Sequence, residues 1–169
     1  MQFRYLLLML LCAAAMTTVS CTKEGNSFFK GYYSFKTGGT LTLERTLLDS
    51  LVVDTVKVAI PTESGQMNVL SVDDKNGTLL ITMNIMGGSV YSYNAVSSGS
   101  VLAIQPAERF VSVSDQYSST SLDVNITGMA SKYDRTIVFD LSYSGSGANA
   151  VYKYKIIGSH VTCVATSNN

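Results

Sequence analysis

From Phe28 onward, apolar and polar residues alternate with a period of two, the pattern of strands that bury one face and wet the other. Leu122, Val124 and Ile126 alternate with Ser121, Asp123 and Asn125. Ile137, Phe139, Leu141 and Tyr143 alternate with Val138, Asp140 and Ser142, and Tyr152, Tyr154 and Ile156 with Val151, Lys153 and Lys155. The same rhythm runs through Leu41 and Leu43, through Val56, Val58 and Ile60, and through Leu79, Ile81, Met83 and Ile85. Turn residues stand between the runs. Asp74-Lys75-Asn76-Gly77 ends in an Asn-Gly pair suited to a tight type I′ hairpin, and Gly87-Gly88, Ser97-Ser98-Gly99, Gly145-Ser146-Gly147 and Gly158-Ser159 punctuate the rest. One stretch, Glu44 to Val52, suggests a short helix through Leu47, Leu48 and Leu51 at helical spacing.

About ten strands at the usual spacing, with almost no helix, predict an all-β antiparallel domain. Parallel sheets need crossover helices, and the pattern offers none. Serial hairpins favour a single-domain β-barrel of calycin-like, up-and-down type over the alternative, a two-sheet β-sandwich, because closure removes exposed edges.

Ahead of this body the pattern changes. Arg4 precedes an unbroken apolar stretch from Tyr5 to Met16, after which Thr17, Thr18, Val19 and Ser20 lead into Cys21. This is the order of a secretory leader, and the apolar stretch falls short of the roughly 20 residues a membrane-spanning helix needs. The tetrad Thr18-Val19-Ser20-Cys21 resembles the lipobox of bacterial lipoproteins, although Thr18 stands where that family prefers Leu. A cysteine is needed there because its thiolate takes a diacylglycerol as a thioether, and small neighbours admit the extended backbone to the peptidase. The resemblance implies a lipoprotein signal peptide at 1–20, a polar tether at 21–28 behind lipidated Cys21, and a single β domain at 29–169. Each acyl CH₂ buried in the bilayer contributes about 0.8 kcal/mol, so two or three chains make a stable anchor. Thr22-Lys23-Glu24-Gly25-Asn26 resembles a weak form of the Lys-plus-acid tract that sends lipoproteins of the Bacteroidota to the cell surface. A plain polar tether explains the same residues, so the periplasmic and surface-exposed faces both stay open.

With these motifs and its Tyr/Ser/Gly/Asn-rich body, the chain resembles the small β-rich outer-membrane lipoproteins of Bacteroidota, several of which fold as lipocalin-like barrels. That resemblance implies attachment to the outer membrane through acyl chains on Cys21. It also implies a domain that binds a small apolar or glycan ligand or a partner protein.

Charge and chemistry narrow the picture further. The chain has 12 basic and 12 acidic residues, and removing Arg4 with the leader leaves 11 basic against 12 acidic. Lys57, Lys75, Arg109 and Lys153 are scattered among acids, so no basic face for nucleic acid is expected. With Cys12 lost and Cys21 lipidated, Cys163 is the one thiol of the mature chain, expected as a small apolar residue in a terminal strand. His160, the only histidine, is expected in a turn after Gly158-Ser159, where a metal or catalytic role lacks partners. Asp73 with Asp74, and Glu108 beside Arg109, are carboxylate candidates for hydrolysis, but both groups sit in predicted turns where charges are solvated. Glycine-rich segments lead into strands and so form no phosphate cradle. No cofactor is expected.

Tyrosine offers the more specific signal. Tyr91 and Tyr93 share one strand face, and Tyr152 and Tyr154 another, an arrangement suited to sugar or lipid recognition as well as to ordinary sheet packing. Asp49-Ser50-Leu51 and Asp54-Thr55-Val56 resemble the O-glycosylation sites of Bacteroidota, with Ser50 and Thr55 as acceptors. The leading expectation is a non-enzymatic envelope lipoprotein. A small hydrolase on a β scaffold, or a subunit of a surface adhesin or fibre assembly, are the alternatives.

Overall fold

The alternation becomes nine antiparallel strands in one sheet. They are β1 (Gly31–Leu47), β2 (Val53–Ala59), β3 (Glu63–Asp73), β4 (Thr78–Ile85), β5 (Val90–Ser98), β6 (Val101–Ser114), β7 (Ser119–Tyr133), β8 (Thr136–Ala148) and β9 (Tyr152–Ser167). The computed structural model describes residues 28–115 and 118–168. The leader, Cys21 and nearly all of the proposed tether lie outside these residues.

The sheet closes on itself. β9 pairs with β1 from end to end, from Ser167 opposite Tyr33 to Tyr152 opposite Leu47, and this pairing makes an eight-stranded barrel rather than a two-sheet sandwich. The other edge of β1 is shared. Its first half pairs with β3, Tyr33 opposite Met67, and its second half with β2, Leu41 opposite Val58. β2 and β3 thus behave as one strand interrupted at Ile60–Thr62, where Pro61 has no N–H to give a ladder.

Wall height is uneven. The β4–β5 hairpin is short, and β5 pairs with β6 only over Ala95–Ser98. Above that point β6 continues from Ala107 to Ser114 bonded to β7 alone, and its free edge faces β2 with no backbone pairing. Pro106 sits where β6 leaves β5. The two prolines of the chain therefore stand on the two edges of the same opening.

Two apolar clusters fill the inside. Phe29, Tyr33, Met67, Ile81, Phe139 and Cys163 belong to the lower one, where all eight strands close, and Leu41, Leu43, Val58, Val111, Leu122 and Ile156 to the upper one. Outward positions such as Asp123, Asn125, Asp140, Lys153 and Lys155 are exposed, so the wall faces water. A transmembrane barrel carries the opposite pattern, an apolar outer band around a polar interior. At the end of β1 away from residue 28, Leu48, Leu51, Val52 and Val151 form an exposed apolar tip, tied together by the Leu48 N–H donating to the Val151 carbonyl at 2.9 Å.

Several expectations need correction. Glu44–Leu47 is strand and residues 48–50 form a turn, so no helix forms there; Leu43 and Arg45 alternate into the barrel while Leu51 is 96% exposed. Gly145-Ser146-Gly147 and Gly158-Ser159 are not turns but lie inside β8 and β9. Leu43 pairs with Ile156 and Thr42 with Gly158, which leaves Ile157 as an extra residue. Such a bulge bends and coils the strand. Ser159 patches the disturbed ladder, its hydroxyl accepting from the Tyr143 N–H at 3.1 Å and donating to the Leu141 carbonyl at 3.2 Å. The Asp74–Gly77 segment does join two strands, as a four-residue loop in which Gly77 alone has positive φ, so it is not a type I′ turn.

Candidate functional site

A small bulge decides what faces the interior of β6. Leu102 and Ile104 point inward, and unbroken alternation would next bring in Pro106, Glu108 and Phe110. The register shifts between Ile104 and Ala107, so Ala107, Arg109, Val111 and Val113 face inward instead, and Phe110 is thrust out, 71% exposed. A slip of one residue exchanges the two faces of a strand. It places a guanidinium inside an apolar barrel. Glu108 and Arg109, expected in a turn, lie in mid-strand.

Arg109 is held by groups from two other strands. Its two Nη groups meet both carboxylate oxygens of Glu63 at the start of β3, one at 3.2 Å, and Nη1 also lies 3.4 Å from the Tyr93 hydroxyl. The guanidinium carbon sits 3.9 Å above the centre of the Tyr91 ring. Burial opposes the Arg109 charge, but the hydrogen bonds it donates to Glu63 and Tyr93 outweigh that and raise the pKa. Burial also raises the pKa of Tyr93 and of Tyr143, so both phenols stay protonated near neutral pH. The Arg109 Nε–H is buried without an acceptor, and the Tyr143 hydroxyl has no hydrogen-bond partner among the described residues.

The space around this group is divided. Toward the barrel centre, between Thr37, Ile81, Phe139 and Cys163, about 20 Å³ is open to the centre of a water molecule. That holds about one water. The centre of the barrel is filled by side chains. On the other side of Arg109, in the opening between β2 and β6, lies a cleft of about 200 Å³ walled by Pro61, Glu63, Tyr91, Phe110, Ser112 and Tyr143. A shallow external recess of about 410 Å³ lies elsewhere, along Ser34, Gln66, Asn84 and Met86. It has no buried charge.

The two tyrosine pairs have separate places. Tyr91 reaches the cleft, where Arg109 covers one of its faces, and Tyr93 lines the interior cavity behind it. Tyr152 and Tyr154 lie at the far end of the barrel around a second arginine. The Arg45 guanidinium stands 4.6 Å from the centre of the Tyr152 ring. Its Nε donates to Asp54 at 2.9 Å and its Nη1 to Asp115 at 2.8 Å. Tyr154, 3% exposed, shares a hydrogen bond of 2.9 Å with Ser118 and accepts one from Asn149 at 3.2 Å. This polar plug caps the upper core and ties β1 to β2 and to the end of β6. Both seams of the opening are therefore fastened by side chains, Arg45 above and Arg109 below.

The remaining candidates are placed simply. His160 is outward and exposed in the middle of β9, opposite Thr40, not in a turn. No group of three or more metal-binding side chains occurs among the described residues. Asp73 ends β3, and its carboxylate accepts from the Lys75 N–H and the Asn76 amide, which lower its pKa. It shapes a turn. Thr55 is exposed on β2, while the Ser50 hydroxyl accepts from the Val52 N–H at 3.1 Å. Arg109, Glu63, Tyr143 and Phe110 are site residues that sequence reasoning missed. For Arg109 and Phe110 the available signal was Pro106, which marks a break in strand parity just before them.

No family model matches the chain, and no curated protein does. A solved structure of a redesigned β-barrel is similar over 89% of this chain and all of its own, with a TM-score of 0.40 and 13% identity.

Proposed function

We propose that the chain is a lipid-anchored protein of the bacterial outer membrane, held through acyl chains on Cys21, and that its barrel is a non-enzymatic binding module receiving a ligand at the side cleft. One observation carries the second half of this reading. The barrel centre has room for about one water, whereas the recess that joins aromatic faces to buried polar groups opens through the wall between β2 and β6. A carrier of apolar cargo needs the reverse arrangement. The exposed charges on the outer wall support a domain standing in water beside the membrane and not within it. Against hydrolysis, both Glu63 oxygens are already engaged by the Arg109 guanidinium.

Two measurements test the halves separately. Labelled palmitate should mark the native protein, and Cys21→Ser should abolish the label and release the protein from the membrane fraction. An unlabelled wild type would end the anchor reading. For the domain, titration of the mature protein with palmitate should leave the resonances of interior residues Ile81, Phe139 and Cys163 unmoved; stoichiometric binding that shifts them would establish a lipocalin-like carrier and refute the cleft. Partner docking is a second reading, favoured by the apolar tip at Leu48, Leu51, Val52 and Val151. A photo-crosslinker at position 51 that captures nothing in native membranes would remove it.

A further inference from the structure

We infer that the side cleft recognises an uncharged polyhydroxylated ring, a single neutral sugar unit; this rests on the side-cleft reading above and names its ligand class. Charge comes first. Arg109 and Glu63 lie side by side with their charges matched, so an anion meets the carboxylate and a cation meets the guanidinium. A neutral ligand with adjacent hydroxyls can donate to one and accept from the other. Both groups are pre-positioned, since Arg109 is held by Glu63, Tyr93 and the Tyr91 ring, and its side chain is only 10% exposed. Little ordering is then required when a ligand binds.

Unused hydrogen-bonding capacity points the same way. Tyr143 lines both the cleft and the interior cavity, and its hydroxyl has no partner among the described residues. A hydroxyl with free capacity at the cleft wall can exchange a water for a ligand hydroxyl at little cost. Aromatic surface completes the set. The Phe110 ring is exposed at the mouth as a platform for the C–H face of a sugar, with Tyr91 on the adjoining wall. Size sets the limit. At about 200 Å³ the cleft is smaller than the roughly 300–1,000 Å³ of pockets that enclose drug-sized molecules. One ring fits, as a free monosaccharide or as the end or branch of a longer glycan whose remainder stays outside.

The test is a chemical-shift titration of the mature protein in detergent with methyl hexopyranosides, the matching uronic acids, the matching hexosamines and palmitate. The inference expects a neutral glycoside to shift Tyr91, Phe110 and Tyr143, with each charged analogue at least about tenfold weaker. Phe110→Ala, which removes an exposed ring and leaves the core intact, should weaken the neutral sugar about tenfold. Tyr143→Phe, which deletes one hydroxyl, should weaken it about three- to tenfold. Preference for a uronic acid at the same residues would overturn the neutral-sugar inference and leave the side cleft standing. Shifts confined to interior residues with palmitate would overturn both. Absence of any cleft shift with every sugar at high concentration would overturn the sugar inference alone.

Discussion

Removing the Glu63 carboxylate tests whether Arg109 is held as described. In Glu63→Ala the guanidinium stays inside the wall with the Tyr93 hydroxyl and the Tyr91 ring, but it loses the one anion within bonding distance among the described residues. Breaking a buried pair from one side costs about 3–5 kcal/mol, because the remaining charge is desolvated and uncompensated. The cleft beside Arg109 admits water, which places the expected loss at the lower end, about 3 kcal/mol. For a domain of this size that lowers Tm by roughly 10 °C. The double variant Glu63→Leu with Arg109→Met, which fills the same space with apolar atoms, should recover stability to within about 1 kcal/mol of wild type or exceed it. Urea denaturation of Glu63→Leu, Arg109→Met and their double closes the cycle, with an unchanged m-value as the check that the unfolding unit is the same. A loss under about 1 kcal/mol for Glu63→Ala, or a double variant no better than the single, would mean that solvent already neutralises this arginine. The electrostatic argument would then fail.

Further predictions concern other parts of the barrel. A Cβ at Gly39 would lie 2.2 Å from the His160 carbonyl oxygen and the backbone there has φ +158°, whereas one at Gly38 would meet nothing nearer than Thr62 at 3.7 Å. Gly39→Ala should therefore cost at least about 2 kcal/mol and Gly38→Ala under about 1, measured by chemical denaturation. Burial pushes the Cys163 thiol up to about 11, so native protein at pH 8 should resist iodoacetamide and become reactive only in denaturant. Fast labelling of the native state would contradict the packing. The Arg45 guanidinium beside Asp54 lowers that carboxyl below its ordinary value. A group depressed in the folded state stabilises it above the unfolded pKa and withdraws that support as pH falls through the folded one, so stability should decline below about pH 4. Asp54→Asn should show a shallower decline in Tm between pH 4 and 2; an identical slope would exclude Asp54 as a contributor.

The barrel was legible because its signal is redundant. Leu122, Val124 and Ile126, or Ile137 and Phe139, each report strand and inward face at once, and any one of them could be lost without changing the conclusion. Barrel over sandwich followed from the serial hairpins, and the pairing of β1 with β9 agrees. The errors cluster where glycine and serine have two physical uses. Gly158-Ser159 reads as a turn because the same freedom that ends a strand also bends one, and only a partner strand distinguishes them. Leu47, Leu48 and Leu51 mimic a helix face since a strand end, a turn and an exposed tip happen to repeat at that spacing.

The cleft was the least legible part. Tyr91 and Tyr93 could be named from alternation, but Arg109 owes its inward position to one bulge at Gln105-Pro106 and its partner to Glu63, 46 residues earlier. No local pattern encodes such a meeting. Tyr152 and Tyr154 share a face as expected and yet serve another group altogether, since nothing in the spacing says that Arg45 arrives above them.

The unpaired edges of β2 and β6 carry a last consequence. Free edges invite neighbouring molecules to add strands, and proteins usually blunt them with prolines, charges or a covering element. Here the two edges shield one another, with Pro61 and Pro106 at one end and the Arg45–Asp54–Asp115 cluster at the other. Protection against sticking to its own kind is thus shared between two imino acids and one cluster of ion pairs, and only the second half of that guard answers to the acidity of the medium.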